Sequence, residues 1–222
     1  MTDPKKTNTE ILQATVTFVQ EQLKNAESGH DWWHIQRVWN NTKLILKTEE
    51  ADAFVCELTA LLHDIADSKF HDGDETIGPR MAGEFLESLY VDPIITEHVQ
   101  KIIANMSFKA SLDEVKFHSK ELDIVQDADR LDAIGAIGIA RAFNYGGFKN
   151  REIYNPNISP LITQSKENYK NSTAPTINHF YEKLLLLKDN MNTATAKNIA
   201  QQRHHFMGMY LQQFYEEWEG VK

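Results

Sequence analysis

Leu61-Leu62-His63-Asp64-Ile65-Ala66-Asp67-Ser68-Lys69 closes an apolar helical run with a knot of ligand-type and charged side chains. Upstream of it, Phe54, Val55, Leu58, Leu61, Leu62 and Ile65 recur at three- and four-residue spacing, the mark of a helix facing a core. A carboxylate buried without a partner is costly, so His63 and Asp64 at the end of such a helix require a cation or a hydrogen-bond network. On a helical turn both side chains can reach one ion lying between their directions, and Asp67 follows at i+4 from His63. The turn therefore offers two ligands and a third acid. An isolated His-Asp pair also suits a helix C-terminus through the dipole alone, so the remaining ligands have to come from elsewhere in the chain.

On the N-terminal side lies Gly29-His30-Asp31-Trp32-Trp33-His34-Ile35-Gln36-Arg37-Val38-Trp39. Asp31 is placed to cap a helix on which His34, Arg37 and Val38 share a face, with His30 just ahead of its first turn. Imidazoles and a guanidinium set among three tryptophans do not make a core stripe. On the C-terminal side, the segment from Leu122 to Gly138 reads as one largely buried helix carrying Asp127, Asp129, Arg130 and Asp132. Three aspartates and an arginine inside it are expensive unless used, and they supply the missing carboxylate.

The rest of the chain reads as helices joined by loops. Thr7-Asn8-Thr9-Glu10 is a capping box, followed by a stripe of Leu12, Val16, Val19 and Leu23 that stops near 26–29. A helix is predicted from about Glu75 to Tyr90, and Asp92-Pro93 restarts another, whose His98 reads as a satisfied core or rim histidine rather than a ligand. Met106 to Lys120 reads as a loop. Asn144-Tyr145-Gly146-Gly147 reads as a helix end, and 148–175, with three prolines and little periodicity, as a long loop that is a candidate lid. Helical order returns with Phe180, Leu184 and Leu187, then Ile199, Phe206, Met209, Tyr210, Phe214 and Trp218. No period-two stretch is long enough for a strand. The expectation is an all-α chain with a flexible lead over 1–8 and one domain over 9–222.

Composition narrows the function classes. The 222 residues carry 32 Asp and Glu against 23 Lys and Arg, a net charge of −9, which argues against partners bound through nucleic-acid phosphates or anionic lipid. Cys56 is the single cysteine, so neither an intrachain disulfide nor a thiolate zinc site can form. No 18-residue apolar run and no signal-length segment is present, so the expectation is a cytoplasmic protein without membrane partners.

With His34, His63-Asp64 and Asp129 in order on separate helices, the sequence resembles the HD-domain superfamily of metal-dependent phosphohydrolases. The strings His-x-x-Arg-Val, Leu-Leu-His-Asp-Ile-Ala-Asp, Asp-Ala-Asp-Arg-Leu-Asp-Ala-Ile-Gly and the tail from Asn178 to Leu184 look specifically like its YpgQ/YedJ-type branch. The resemblance implies metal ligands at His34, His63, Asp64 and Asp129. Asp129 is chosen over Asp127 and Asp132 because the family's ligand immediately precedes a basic residue, here Arg130. It also implies one divalent cation and a small-molecule nucleotide substrate. Two imidazoles and two carboxylates suit manganese, and could hold magnesium, iron, cobalt, nickel or zinc.

Asp67 resembles the family's second acidic position, which orients or deprotonates the attacking water. Arg37, Lys69 and Arg130 lie beside ligand positions and can offset polyphosphate charge, with Lys183 and His179 as further candidates. The branch implies a nucleoside triphosphate pyrophosphohydrolase. A nucleotide phosphomonoesterase or an alarmone hydrolase would use the same frame, and a non-catalytic nucleotide sensor is the rival from another class. Monomer and homodimer both stay open.

Overall fold

The protein is described here by a computed structural model covering residues 6–24, 31–66, 74, 76–106, 117–161 and 173–222. Among the described residues every regular element is helical and there is no strand, so the chain is all-α. Two compact units divide it, 1–129 and 130–222.

The first unit is built around α3, Ala53–Leu62, whose N-cap Asp52 accepts from the amides of Phe54 and Val55 at 2.9 and 3.2 Å. Val55, Cys56, Leu58, Thr59, Ala60, Leu61 and Leu62 are all buried. The helix thus has an apolar contact on nearly every side, where the spacing alone predicts a single face. Its neighbours are α1 (Asn8–Gln22), α2 (Trp32–Ile45) and α5 (Pro93–Asn105), with α4 (Ile77–Ser88) packed on α5. Truncating one of its fully buried leucines to alanine would cost roughly 2–5 kcal/mol. Burial pushes the Cys56 thiol well above its ordinary range, so it packs as a small apolar residue.

Local signals explain where these helices start. The Thr7 hydroxyl accepts from Glu10 N at 3.3 Å and the Glu10 carboxylate accepts from Thr7 N at 2.8 Å, completing the expected capping box. Asp92 caps α5 with Pro93 in its first turn. The face of α1 is rotated from the expected stripe: Ile11, Thr15 and Val19 are buried, while Leu12 and Val16 lie at its edge. Thr15 can be buried because its hydroxyl donates to the Ile11 carbonyl at 2.8 Å. The helix ends at Gln22, ahead of the expected stop near 26–29, which lies outside the described residues.

The single helix expected over 122–138 is two. Helix α6, Lys120–Asp132, ends at Ala133-Ile134, and α7 runs from Gly135 to Phe148, past the Gly146-Gly147 pair expected to stop it. Gly135 has φ +75°, a conformation that costs glycine little and other residues more, which is why the break falls there. The boundary between the units lies inside α6.

In the second unit α7 packs with α8 (Thr176–Glu182) and α9 (Ala194–Trp218), and both of these pack with a 3-10 segment (Leu184–Asn190). The buried side of α9 is Ala196, Ala200, Met207 and Leu211, while Phe206 and Met209 are exposed, so its register differs from the apolar stripe read in the sequence. Two alanines allow the close approach, and the Arg203 guanidinium on that side donates to the Leu131 carbonyl. Of the candidate lid, Tyr154 packs edge-on against Phe214, Tyr215 and Trp218, and 162–172 lie outside the described residues. No described helix is long and apolar enough to cross a membrane.

Candidate metal centre

Three helices of the first unit bring their donors to one place. On α2, Asp31 accepts from the His34 amide at 3.0 Å, which fixes the first turn, and His34 then falls on the inward stripe with Val38, Asn41 and Ile45. His34 is only 3% exposed. A buried imidazole on a core stripe needs a partner, and it has one in Asp129, whose Oδ1 lies 3.4 Å from His34 Nε2.

His63 ends α3 as its C-cap, one residue later than the last helical residue Leu62, so the expected last-turn ligand sits just beyond the turn. Its Nδ1 lies 2.9 Å from the Ala60 carbonyl oxygen. A carbonyl can only accept, so Nδ1 carries the proton and Nε2 keeps its lone pair for a ligand. The same bond satisfies one of the carbonyls that a helix end leaves open. The rings of His34 and His63 stand 5.5 Å apart, inclined at 65°.

Ligand atoms of His34, His63 and Asp129 all lie within 4.8 Å of one another. Bonds of about 2.1 Å to one ion place two ligand atoms about 3 Å apart when adjacent and about 4.2 Å when opposite. The 3.4 Å between His34 and Asp129 falls in that range and is longer than a good direct hydrogen bond. Spacing, tautomer and mixed nitrogen and oxygen donors all fit a divalent cation. Asp64, the next residue after His63, is half-buried and is not one of this group.

The three aspartates of α6 divide their work. Asp132 is 1% exposed and its carboxylate accepts from the Arg141 guanidinium. Asp127 is fully buried and engaged by a partner, while Asp129, half-buried, faces the imidazoles.

Residues 32–134 match the HD domain. YpgQ from Bacillus subtilis is 37% identical over 211 residues, covering 92% of this chain and 92% of that protein. An HD-superfamily hydrolase from Bacillus thuringiensis is 43% identical over 96% of this chain and 99% of its own, with a TM-score of 0.77. The chain belongs to the HD superfamily of metal-dependent phosphohydrolases. Its YpgQ branch is shared with a crystal structure of Bacillus subtilis YpgQ in complex with ADP, 35% identical over 96% of this chain and 97% of that one, with a TM-score of 0.75.

The remaining site candidates of this HD chain are placed as follows. Arg37 is half-buried on α2, one turn after His34. The Arg130 guanidinium donates to the Asn190 carbonyl at 2.6 Å. Lys183 is exposed at the C-terminal end of α8. Asp67, Lys69 and His30 lie outside the described residues. His98 has the polar partners expected of a rim histidine, Ser119 Oγ at 3.2 Å and Glu121 Oε2 at 3.6 Å.

Asn41 is a residue that sequence reasoning missed. Buried on α2 two turns after His34, it donates from Nδ2 to the Ala128 carbonyl at 3.0 Å, beside Asp129. It ties the helix of one donor to the helix of another. The signal was its i+7 spacing from His34 on an otherwise apolar face.

Proposed function

We propose that the chain hydrolyses nucleoside triphosphates to a nucleoside monophosphate and pyrophosphate, with manganese as the resident cation. The observation that carries the nucleotide is the ADP complex of Bacillus subtilis YpgQ, a relative aligned along almost the whole chain. The proposed ligands are His34, His63 and Asp129, which converge, with Asp64 as the fourth. When bound, the cation supplies polarisation of the phosphoryl group and acidification of water.

The protein's own groups do the rest. The Ala60 carbonyl holds His63 in the tautomer that leaves Nε2 available. Asp67 is the proposed acceptor of the proton from the attacking water. Arg37, Lys69 and Arg130 are proposed to offset phosphate charge, Arg130 in an orientation steadied by the Asn190 carbonyl.

Hydrolysis of a nucleoside triphosphate in oxygen-18 water tests the reading. Attack at the α-phosphorus puts the label in the monophosphate and leaves pyrophosphate unlabelled. Label in inorganic phosphate beside a diphosphate product would overturn it in favour of a terminal phosphatase.

A further inference from the structure

A cavity of about 340 Å³ opens in the second unit between the chain that follows α7 and the helices α8 and α9. Tyr154, Pro156, Asn178, Tyr181 and Tyr215 are among the residues that line it, and no charged side chain is. Asn178 and Tyr181 stand at i and i+3 on one face of α8, in the tail segment from Asn178 to Leu184.

The wall is held in place from several directions. Tyr154 packs edge-on against Tyr215 and Trp218, with ring centres 5.3 and 5.0 Å away. The next residue, Asn155, spends its whole amide on the backbone turn and its neighbour: Oδ1 accepts from Asn157 N at 3.0 Å and Nδ2 donates to Glu152 at 2.9 Å. At the far end of the stretch Leu161 N donates to the Glu182 carboxylate of α8 at 3.0 Å. Burial first, and then a hydrogen bond with Tyr181, pushes the Tyr215 hydroxyl up, so it stays neutral.

Asn178 carries the decisive detail. It is 1% exposed, and its Nδ2 donates to the Ile158 carbonyl at 3.0 Å. A carbonyl can only accept, so this bond fixes which end of the amide is which, and it leaves Oδ1 with no donor among the described residues. A buried amide oxygen without a donor costs stability, and in the wall of a cavity it is the group a ligand's N–H would satisfy.

We infer that the cavity bounded by Tyr154, Asn178, Tyr181 and Tyr215 binds an uncharged nucleoside, its base against the tyrosine rings and an N–H of that base donated to Asn178 Oδ1. The neutral lining selects against a phosphate, which would need a cation, and aromatic walls suit a flat heteroaromatic ring. The choice of a nucleoside among such rings rests on the nucleotide reading above.

The test is calorimetric titration of the metal-free, full-length protein with adenosine and with purine riboside, which lacks the exocyclic amine. Wild type should bind adenosine about tenfold more tightly than purine riboside, the scale of one hydrogen bond to a buried acceptor. In Asn178→Ala the two should bind alike, a difference that survives any general loosening of the loop. Tyr154→Ala should weaken both about tenfold through the lost ring contact. ADP should compete for the cavity no better than adenosine does. Absence of saturable adenosine binding, equal affinity for the two nucleosides in wild type, or adenosine affinity unmoved by Tyr154→Ala would overturn the site. Much tighter competition by ADP would overturn a site for uncharged nucleosides. Labelled monophosphate from a protein that does not bind adenosine would remove this inference and leave the hydrolase reading intact. Amine-dependent adenosine binding in a protein that forms no monophosphate would do the opposite.

Discussion

The end of α3 and the length of α8 each present a histidine near a helix terminus, and their neighbours give the two imidazoles opposite tasks. His63 gives its Nδ1 proton to the Ala60 carbonyl and turns a lone pair toward His34 and Asp129. His179 is half-buried, and desolvation first, with the charges of Lys183 and Arg151 adding to it, holds its imidazole down at about 4. One imidazole offers a donor to a positive ion, and the other is kept neutral by its surroundings. What a histidine does is thus decided by the two or three groups around it, which sequence spacing reports for His63 and conceals for His179.

The comparison breaks first at the metal centre, where the largest effect is expected. His63→Ala and Asp129→Asn should each abolish metal retention and turnover, since each removes one donor from a small set, while far-UV circular dichroism stays unchanged. Metal content of the purified variants measures this. Full occupancy in Asp129→Asn together with loss in Asp127→Asn would reassign the carboxylate of α6.

How much of this was legible follows from what periodicity carries. The apolar run through Leu58, Leu61 and Leu62 marked α3, and Thr7 and Asp92 marked two helix starts, because caps and core spacing are local. His34, His63 and Asp129 were legible as residue types on separate helices, and their convergence is now a distance. The break at Gly135 was not legible, since Leu131 and Ile134 continue the apolar period straight through a residue whose φ is positive. Nor was the register of α9, where alanines at 196 and 200 are buried by close approach while larger apolar side chains face outward. Asn41 escaped because its partner is a backbone carbonyl on α6, far along the chain.

That bond gives the next, smaller effect. Asn41→Ala should leave all the donors in place yet loosen α6 against α2, weakening metal affinity roughly 10–100-fold, the scale of losses beyond the ligands themselves. Competition with a chelator of known affinity reads it. An unchanged affinity with a lowered thermal midpoint would make Asn41 a packing residue with no part in setting the donors.

The smallest effect sharpens the other half of the comparison. In the folded chain the His179 imidazole stays neutral until the pH falls to about 4, because burial and the charges of Lys183 and Arg151 oppose its protonation. In the unfolded chain an ordinary histidine protonates near 6.5. Between those values unfolding takes up a proton at this position, so acid favours the unfolded state, with a slope that approaches about 1.4 kcal/mol per pH unit well inside the window. The contribution is absent above pH 6.5 and stops growing below about 4. Urea unfolding of wild type and His179→Gln should therefore show wild type losing stability relative to the variant as pH is lowered from 7 to 4.5. Parallel curves over that range would mean that the imidazole titrates normally, and His179 would then belong with the exposed histidines rather than opposite His63.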